Sequence, residues 1–147
     1  MKKINILLFC IIIILPNIVL AQAKESVWKT LAKVTFRKEM DADLGFKIDV
    51  PVFSKEVRIL DGKIVELRGY VLPTEGYKNQ RRFMFSSLPY NVCFFCGGAG
   101  PETVMEVSSK LPIPVSKEPI MLRGRLQLNS GDVNKLMYSL TEAEIIK

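Results

Sequence analysis

Residues 119–129 read Pro-Ile-Met-Leu-Arg-Gly-Arg-Leu-Gln-Leu-Asn. Ile120, Leu122, Leu126 and Leu128 alternate with Met121, Arg123, Arg125 and Gln127, the period-two pattern of a strand with one face in a core and the other toward water. A glycine sits at the centre. In an otherwise well-alternating strand, glycine marks a bulge or sharp bend, where the chain must turn or another backbone comes close. The arrangement has an upstream echo, Leu67-Arg-Gly-Tyr-Val71. There Val65, Leu67 and Val71 alternate with Glu66, Arg68 and Tyr70, and Pro73 ends the run.

Three more strands are expected at residues 82–88, 102–107 and 136–140, the last after the turn signal Asn129-Ser-Gly-Asp132. Five strands, two of them bent, predict a mainly β fold: a small five-stranded OB-like Greek-key barrel at residues 53–147, with a β-sandwich as the competing architecture. A short helix precedes the strands, because Ser54 can cap it, Val57 and Leu60 share a face, and Gly62 can end it. Residues 24–52 read as an N-terminal arm. Within it Val27, Trp28, Leu31 and Val34 recur at near-helical spacing, Lys33-Val-Thr-Phe-Arg37 alternates like a strand, and Trp28 is expected to pack against the domain.

The first 23 residues have the form of a secretory signal peptide: Lys2 and Lys3, an apolar run from Ile4 to Leu20, and the small-x-small sequence Ala21-Gln-Ala23. Export to the periplasm is the expected localisation, with a retained N-terminal membrane anchor as the alternative. Cys10 lies too early in the run, behind Phe9, for a lipoprotein attachment site. Cleavage after residue 23 of the 147 leaves 124, enough for one domain with its own core. Losing Lys2 and Lys3 takes the net charge from +6 to +4, a modest basic excess that argues against a nucleic-acid partner.

The mature chain keeps Cys93 and Cys96 and has no histidine. That absence removes Ser-His-Asp, Cys-His and His-based zinc catalysis, each of which needs an imidazole. The cysteines belong to Cys93-Phe-Phe-Cys-Gly-Gly-Ala-Gly-Pro-Glu102, and three chemistries fit. Two thiolates at this spacing can hold Zn or Cu(I), with Glu102, Glu106 or Met105 completing the set. The spacing is also that of thiol–disulfide exchange, although Gly97 and Gly98 after Cys96 do not begin the helix that lowers a redox thiol's pKa. A loop disulfide is the third. Gly97, Gly98 and Gly100 can take φ > 0 and turn successive N–H groups onto an anion. Phe94 and Phe95 offer an apolar contact, with at least one expected in the core. Arg68, Arg123 and Arg125 would form a basic face if the two echoing strands are neighbours, the alternative being a solvated sheet face.

Taken with the export signal, Gly69-Tyr-Val-Leu-Pro73, the approach Ser86-Ser-Leu-Pro-Tyr-Asn-Val-Cys93 and the late Leu122-Arg-Gly-Arg-Leu126 give a chain that resembles the DUF3299 family of exported bacterial proteins of undefined function, across residues 57–138. The resemblance implies an OB-like barrel in the periplasm, and some members accompany metal-linked export systems. Many members carry Cys-x-His and a proline run where this chain has Cys93-Phe-Phe-Cys96 and a glycine-rich stretch; Cys93 matches the shared cysteine and Cys96 does not stand at the histidine position. The expectation that follows is a non-enzymatic binding module whose 93–101 loop handles a metal ion or a membrane-associated or transport-linked partner protein. A periplasmic thiol–disulfide redox protein and a purely structural module with a loop disulfide are the alternatives.

Overall fold

The computed structural model describes residues 26–42, 44–72 and 79–146. The segment expected to be a signal peptide, residues 1–23 with Cys10, and Pro73 lie outside the described residues. Among the described residues no helix is long and apolar enough to cross a membrane.

Among the described residues two short α-helices and seven strands follow in order: α1 (Val27–Leu31), β1 (Val34–Met40), β2 (Lys47–Phe53), α2 (Lys55–Ile59), β3 (Ile64–Leu72), β4 (Gln80–Ser86), β5 (Val104–Ile113), β6 (Ile120–Leu128) and β7 (Tyr138–Ile146). The last five strands close into one barrel in the order β3-β4-β5-β7-β6, so the sheet meets itself instead of splitting into a sandwich. All neighbours are antiparallel except β5 and β7, which run parallel. A closed five-stranded Greek-key barrel of this order is the OB arrangement.

Closure happens at the two echoing glycines. β3 pairs with β6 from Ile64 through Gly69, then with β4 from Tyr70 through Leu72, so the strand changes partner at Gly69. A β-carbon at Gly69 would stand 2.4 Å from the Ser86 carbonyl oxygen and 2.9 Å from the Phe85 ring. At Gly124 the ladder to β7 slips between Arg123 and Arg125, and a β-carbon would stand 2.8 Å from Leu140 and 2.9 Å from the Thr141 carbonyl oxygen. The extra residue of this bulge is on β7, where Glu142 takes φ 54°, a left-handed conformation unusual for a side chain of this kind.

Inward-facing Leu67, Phe85, Met105, Leu122, Leu126 and Leu140 fill the barrel, each buried. α1 covers one end: Leu31 is fully buried, the Trp28 ring lies 6.2 Å from Phe85, and Trp28 Nε1 donates to the Arg68 carbonyl at 2.9 Å. The Tyr138 hydroxyl donates to the Leu31 carbonyl at 2.8 Å, satisfying an acceptor that the end of a helix leaves open. Burial, with the nearby Glu102 carboxylate adding to it, holds that phenol well above its ordinary pKa. α2 begins as expected, with Ser54 Oγ accepting from the Val57 amide at 3.3 Å and Val57 buried. Gly62, at φ 70°, then passes its N–H to the Leu126 carbonyl and ties the helix exit to β6.

Three sequence expectations are extended by the structure. The third strand runs to Ile113 and begins at Val104, because β5 gains partners on both sides. The fifth begins at Tyr138 and runs to Ile146, since residues 129–137 form a structured loop. The arm contains a complete hairpin, β1 with β2, from Val34 opposite Phe53 to Met40 opposite Lys47.

Because the obstacle at Gly69 is a backbone oxygen, Gly69→Ala is expected to lose roughly 1–3 kcal/mol of stability in urea unfolding. Gly124→Ala is expected to lose less, as its nearest backbone obstacle, the Thr141 carbonyl oxygen, stands farther off at 2.9 Å and the Leu140 side chain can yield. Gly131, with nothing within 4 Å of a β-carbon, provides the control; equal losses at all three positions would contradict this account of closure.

Candidate functional site

The cysteine segment joins β4 to β5 as a chain of single 3-10 turns: Tyr90–Val92, Phe94–Cys96 and Pro101–Thr103. The Ser87 amide donates to the Thr103 carbonyl at 2.9 Å and closes its base. Gly97, at φ 75°, reverses the chain after the second turn. Gly98 lies where a β-carbon would stand 2.5 Å from the Val92 carbonyl oxygen, so the two turns can pack together only without a side chain there.

This packing divides the two cysteines. Cys93 is fully buried in a small cluster with Leu72 and Val104, whereas Cys96 is exposed. Both are free thiols with sulfurs 3.9 Å apart, and Cys96 Sγ donates to the Tyr90 carbonyl at 3.0 Å. Partial loss of water, then the hydrogen bond and charge of the adjoining Cys93, hold the Cys96 thiol above its ordinary pKa. A segment that favours thiol over thiolate is poorly set up for nucleophilic exchange. The phenylalanines divide in the same way: Phe94 packs half-buried against the Cys93 cluster and Phe95 stays 54% exposed, their rings edge to face at 5.3 Å. Exposed Tyr90 and Val92 extend this apolar edge.

The proposed additional ligands are placed elsewhere. Met105 is buried in the barrel core. Glu106 Oε1 accepts from the Leu136 amide at 3.1 Å and pins the β6–β7 loop to β5. The Glu102 carboxylate occupies the space that a β-carbon of Gly100 would take. Among the described residues no group of three or more Cys, Asp and Glu converges, so Glu102 is not gathered with the two sulfurs. Nor do the glycines present a row of free donors: the N–H of Gly97 turns back to the Phe94 carbonyl and that of Gly98 to the Cys93 carbonyl, while Gly100 has φ −79°.

Arg68, Arg123 and Arg125 do fall on exposed faces of the paired strands β3 and β6. Carboxylates interrupt them. Arg123 stands opposite Glu66 on β3 and Glu144 on β7, and Arg125 donates to the Gly62 carbonyl at 2.8 Å with Glu142 at 3.9 Å. The result is a mixed, solvated sheet face.

A feature absent from the sequence reading lies beside the cysteine segment. A cleft of about 750 Å³ opens between the β1–β2 hairpin and the β6–β7 loop, with Phe94 and Pro101 contributed by the cysteine segment. Asn129 builds the loop wall: its Oδ1 accepts from the Asp132 amide at 3.0 Å and its Nδ2 donates to the Asp132 carbonyl at 2.8 Å. Lys135 bonds Asp132 at 2.9 Å, and that hydrogen bond, with another from the Asn134 amide, lowers the Asp132 pKa. The hairpin wall brings Phe36, Met40 and Ile48. The turn signal at residues 129–132 was legible, but a turn does not disclose what packs across from it.

The pH–rate profile for alkylation of native Cys96 should have its midpoint above the ordinary cysteine pKa of about 8.5. A native rate profile with its midpoint below that value would contradict the thiol-favouring geometry.

No family model matches the chain, and no curated protein matches it in sequence. Its structure is similar to the crystal structure of a DUF3299 family protein from Pseudomonas aeruginosa PAO1, at a TM-score of 0.47 and 15% identity, over 66% of this chain and 68% of that one. That neighbour bears the name of the family whose motifs the sequence resembles.

Proposed function

We propose that this chain is an exported, non-enzymatic binding module that receives a segment of a partner protein in the cleft beside its cysteine segment. The closed barrel is an architecture that fits binding and structural modules alike. One observation favours binding: Phe94 and Pro101, from the second and third of the cysteine turns, line the same cleft as the hairpin and the β6–β7 loop. The cleft joins an exposed apolar edge of Tyr90, Val92 and Phe95, a combination that suits a protein segment better than a small polar solute. Cys93 serves this reading as the buried foot of the segment, holding Phe94 against the barrel mouth.

A photo-crosslinking residue at Phe95 or Val133, both exposed, should give a discrete protein adduct in the producing cell. The same residue at Ile59, exposed on α2 away from the cleft, should not. Identical adducts at all three positions would contradict the assignment.

The sulfur geometry supports a second reading. Two thiolates on one Zn²⁺, with Zn–S bonds of about 2.3 Å, stand about 3.8 Å apart along a tetrahedral edge, and the two sulfurs here are 3.9 Å apart. Cys93 and Cys96 would supply that edge, and the remaining ligands would come from outside the chain. A native mass spectrum of the protein from its own cell should then carry metal mass that leaves on denaturation with both thiols trapped. A metal-free mass about 2 Da light, with neither thiol trapped, would instead record a disulfide and remove this reading.

A further inference from the structure

β1 and β2 form a two-stranded sheet that joins no other strand among the described residues. A ribbon of two strands is marginally stable in water, and each of its outer edges is a template for another strand. The edges differ. β2 carries Pro51, which lacks an N–H and is a common means of blunting an edge. β1 has seven residues without glycine or proline, most of them exposed, including Phe36 at 42% and Met40 at 64%.

We propose that β1 pairs antiparallel with β1 of a second copy of this chain, about a two-fold axis at Lys38, to give a continuous sheet in the order β2-β1-β1-β2. The strand is self-complementary in that register. Arg37 of each copy faces Glu39 of the other on one side of the sheet, and Phe36 faces Met40 on the opposite side, so each favourable pair occurs twice. The two Lys38 side chains meet at the axis, where each is already paired with Asp49 of its own β2 at 3.1 Å. Neighbouring symmetric registers match less well. An axis at Arg37 sets Glu39 against Thr35 and Lys38 against Phe36. An axis at Glu39 brings Arg37 opposite Asp41, but it sets Glu39 against itself and Lys38 against Met40.

Within one copy Arg37 and Glu39 are paired along the strand; in the dimer the same charges are shared across the axis. Phe36, Glu39 and Met40 also line the cleft, so the paired strand borders it; self-association of the chain is read independently of what the cleft holds.

Sedimentation equilibrium of the purified protein tests it. The native chain should be a dimer. Arg37→Glu places like charges opposite each other twice and should weaken association roughly tenfold, as should Glu39→Arg. The doubly exchanged Arg37→Glu, Glu39→Arg chain should recover the dimer, a recovery that also shows that neither change unfolds the hairpin. A native chain that is monomeric throughout, a dimer indifferent to the single reversals, or a double variant that does not recover would overturn the proposal.

Discussion

The Ser86 carbonyl oxygen lies 2.4 Å from where a β-carbon of Gly69 would be, and Leu140 lies 2.8 Å from the same point on Gly124. A five-stranded barrel is so narrow that its strands must bend sharply to meet, and the bends bring atoms of the neighbouring strand into the space of a side chain. Gly69 is where β3 leaves β6 for β4; Gly124 is where β6 and β7 lose register. With both corners turned, β7 can lie between β5 and β6, parallel to one and antiparallel to the other. The rest of the core follows from that closure. Phe85 reaches Trp28, and Tyr138 reaches the last turn of α1.

Closure also decides where the connections gather. The β4–β5 segment and the β6–β7 loop come to one cleft, and the hairpin before the barrel supplies its far wall. Rigidity there is built from backbone bonds and small residues rather than from a large apolar core: Asn129 holds one loop, Glu106 pins it, and Gly98 lets the cysteine turns pack together. The buried Cys93 then acts as a hydrophobe that anchors the segment, while the exposed Cys96 keeps a protonated sulfur turned to a carbonyl.

Much of the barrel was written in alternation. β3 and β6 show it in full, and their shared Leu-Arg-Gly motif points to the corners because glycine is the residue that permits them. β7 outruns its sequence pattern because Glu142-Ala-Glu144 carries little strand propensity; its pairing with two neighbours overrides that local preference. The hairpin was half visible. Its first strand alternates, but its turn depends on the Asp41 carboxylate accepting from the Leu44 amide and on Gly45 at φ 73°, features that resemble any polar loop in sequence. At the site, spacing identified the cysteines yet gave no hint that one sulfur is buried and the other exposed, since that depends on the turn at Gly97 and the contact at Gly98. The cleft was invisible for a different reason: it is made by three segments far apart in the chain.

Two missing side chains let the barrel close, and that closure has a direct spectroscopic signature. In a nuclear Overhauser spectrum of the folded protein, the Gly69 α-proton in the position of a β-carbon should show strong contacts to the Phe85 ring, and its counterpart on Gly124 should show contacts to the Leu140 side chain. Both sets together place β3 against β4 and β6 against β7 at the corners described. Their absence, in a protein that is otherwise folded, would mean that the barrel closes by some other geometry.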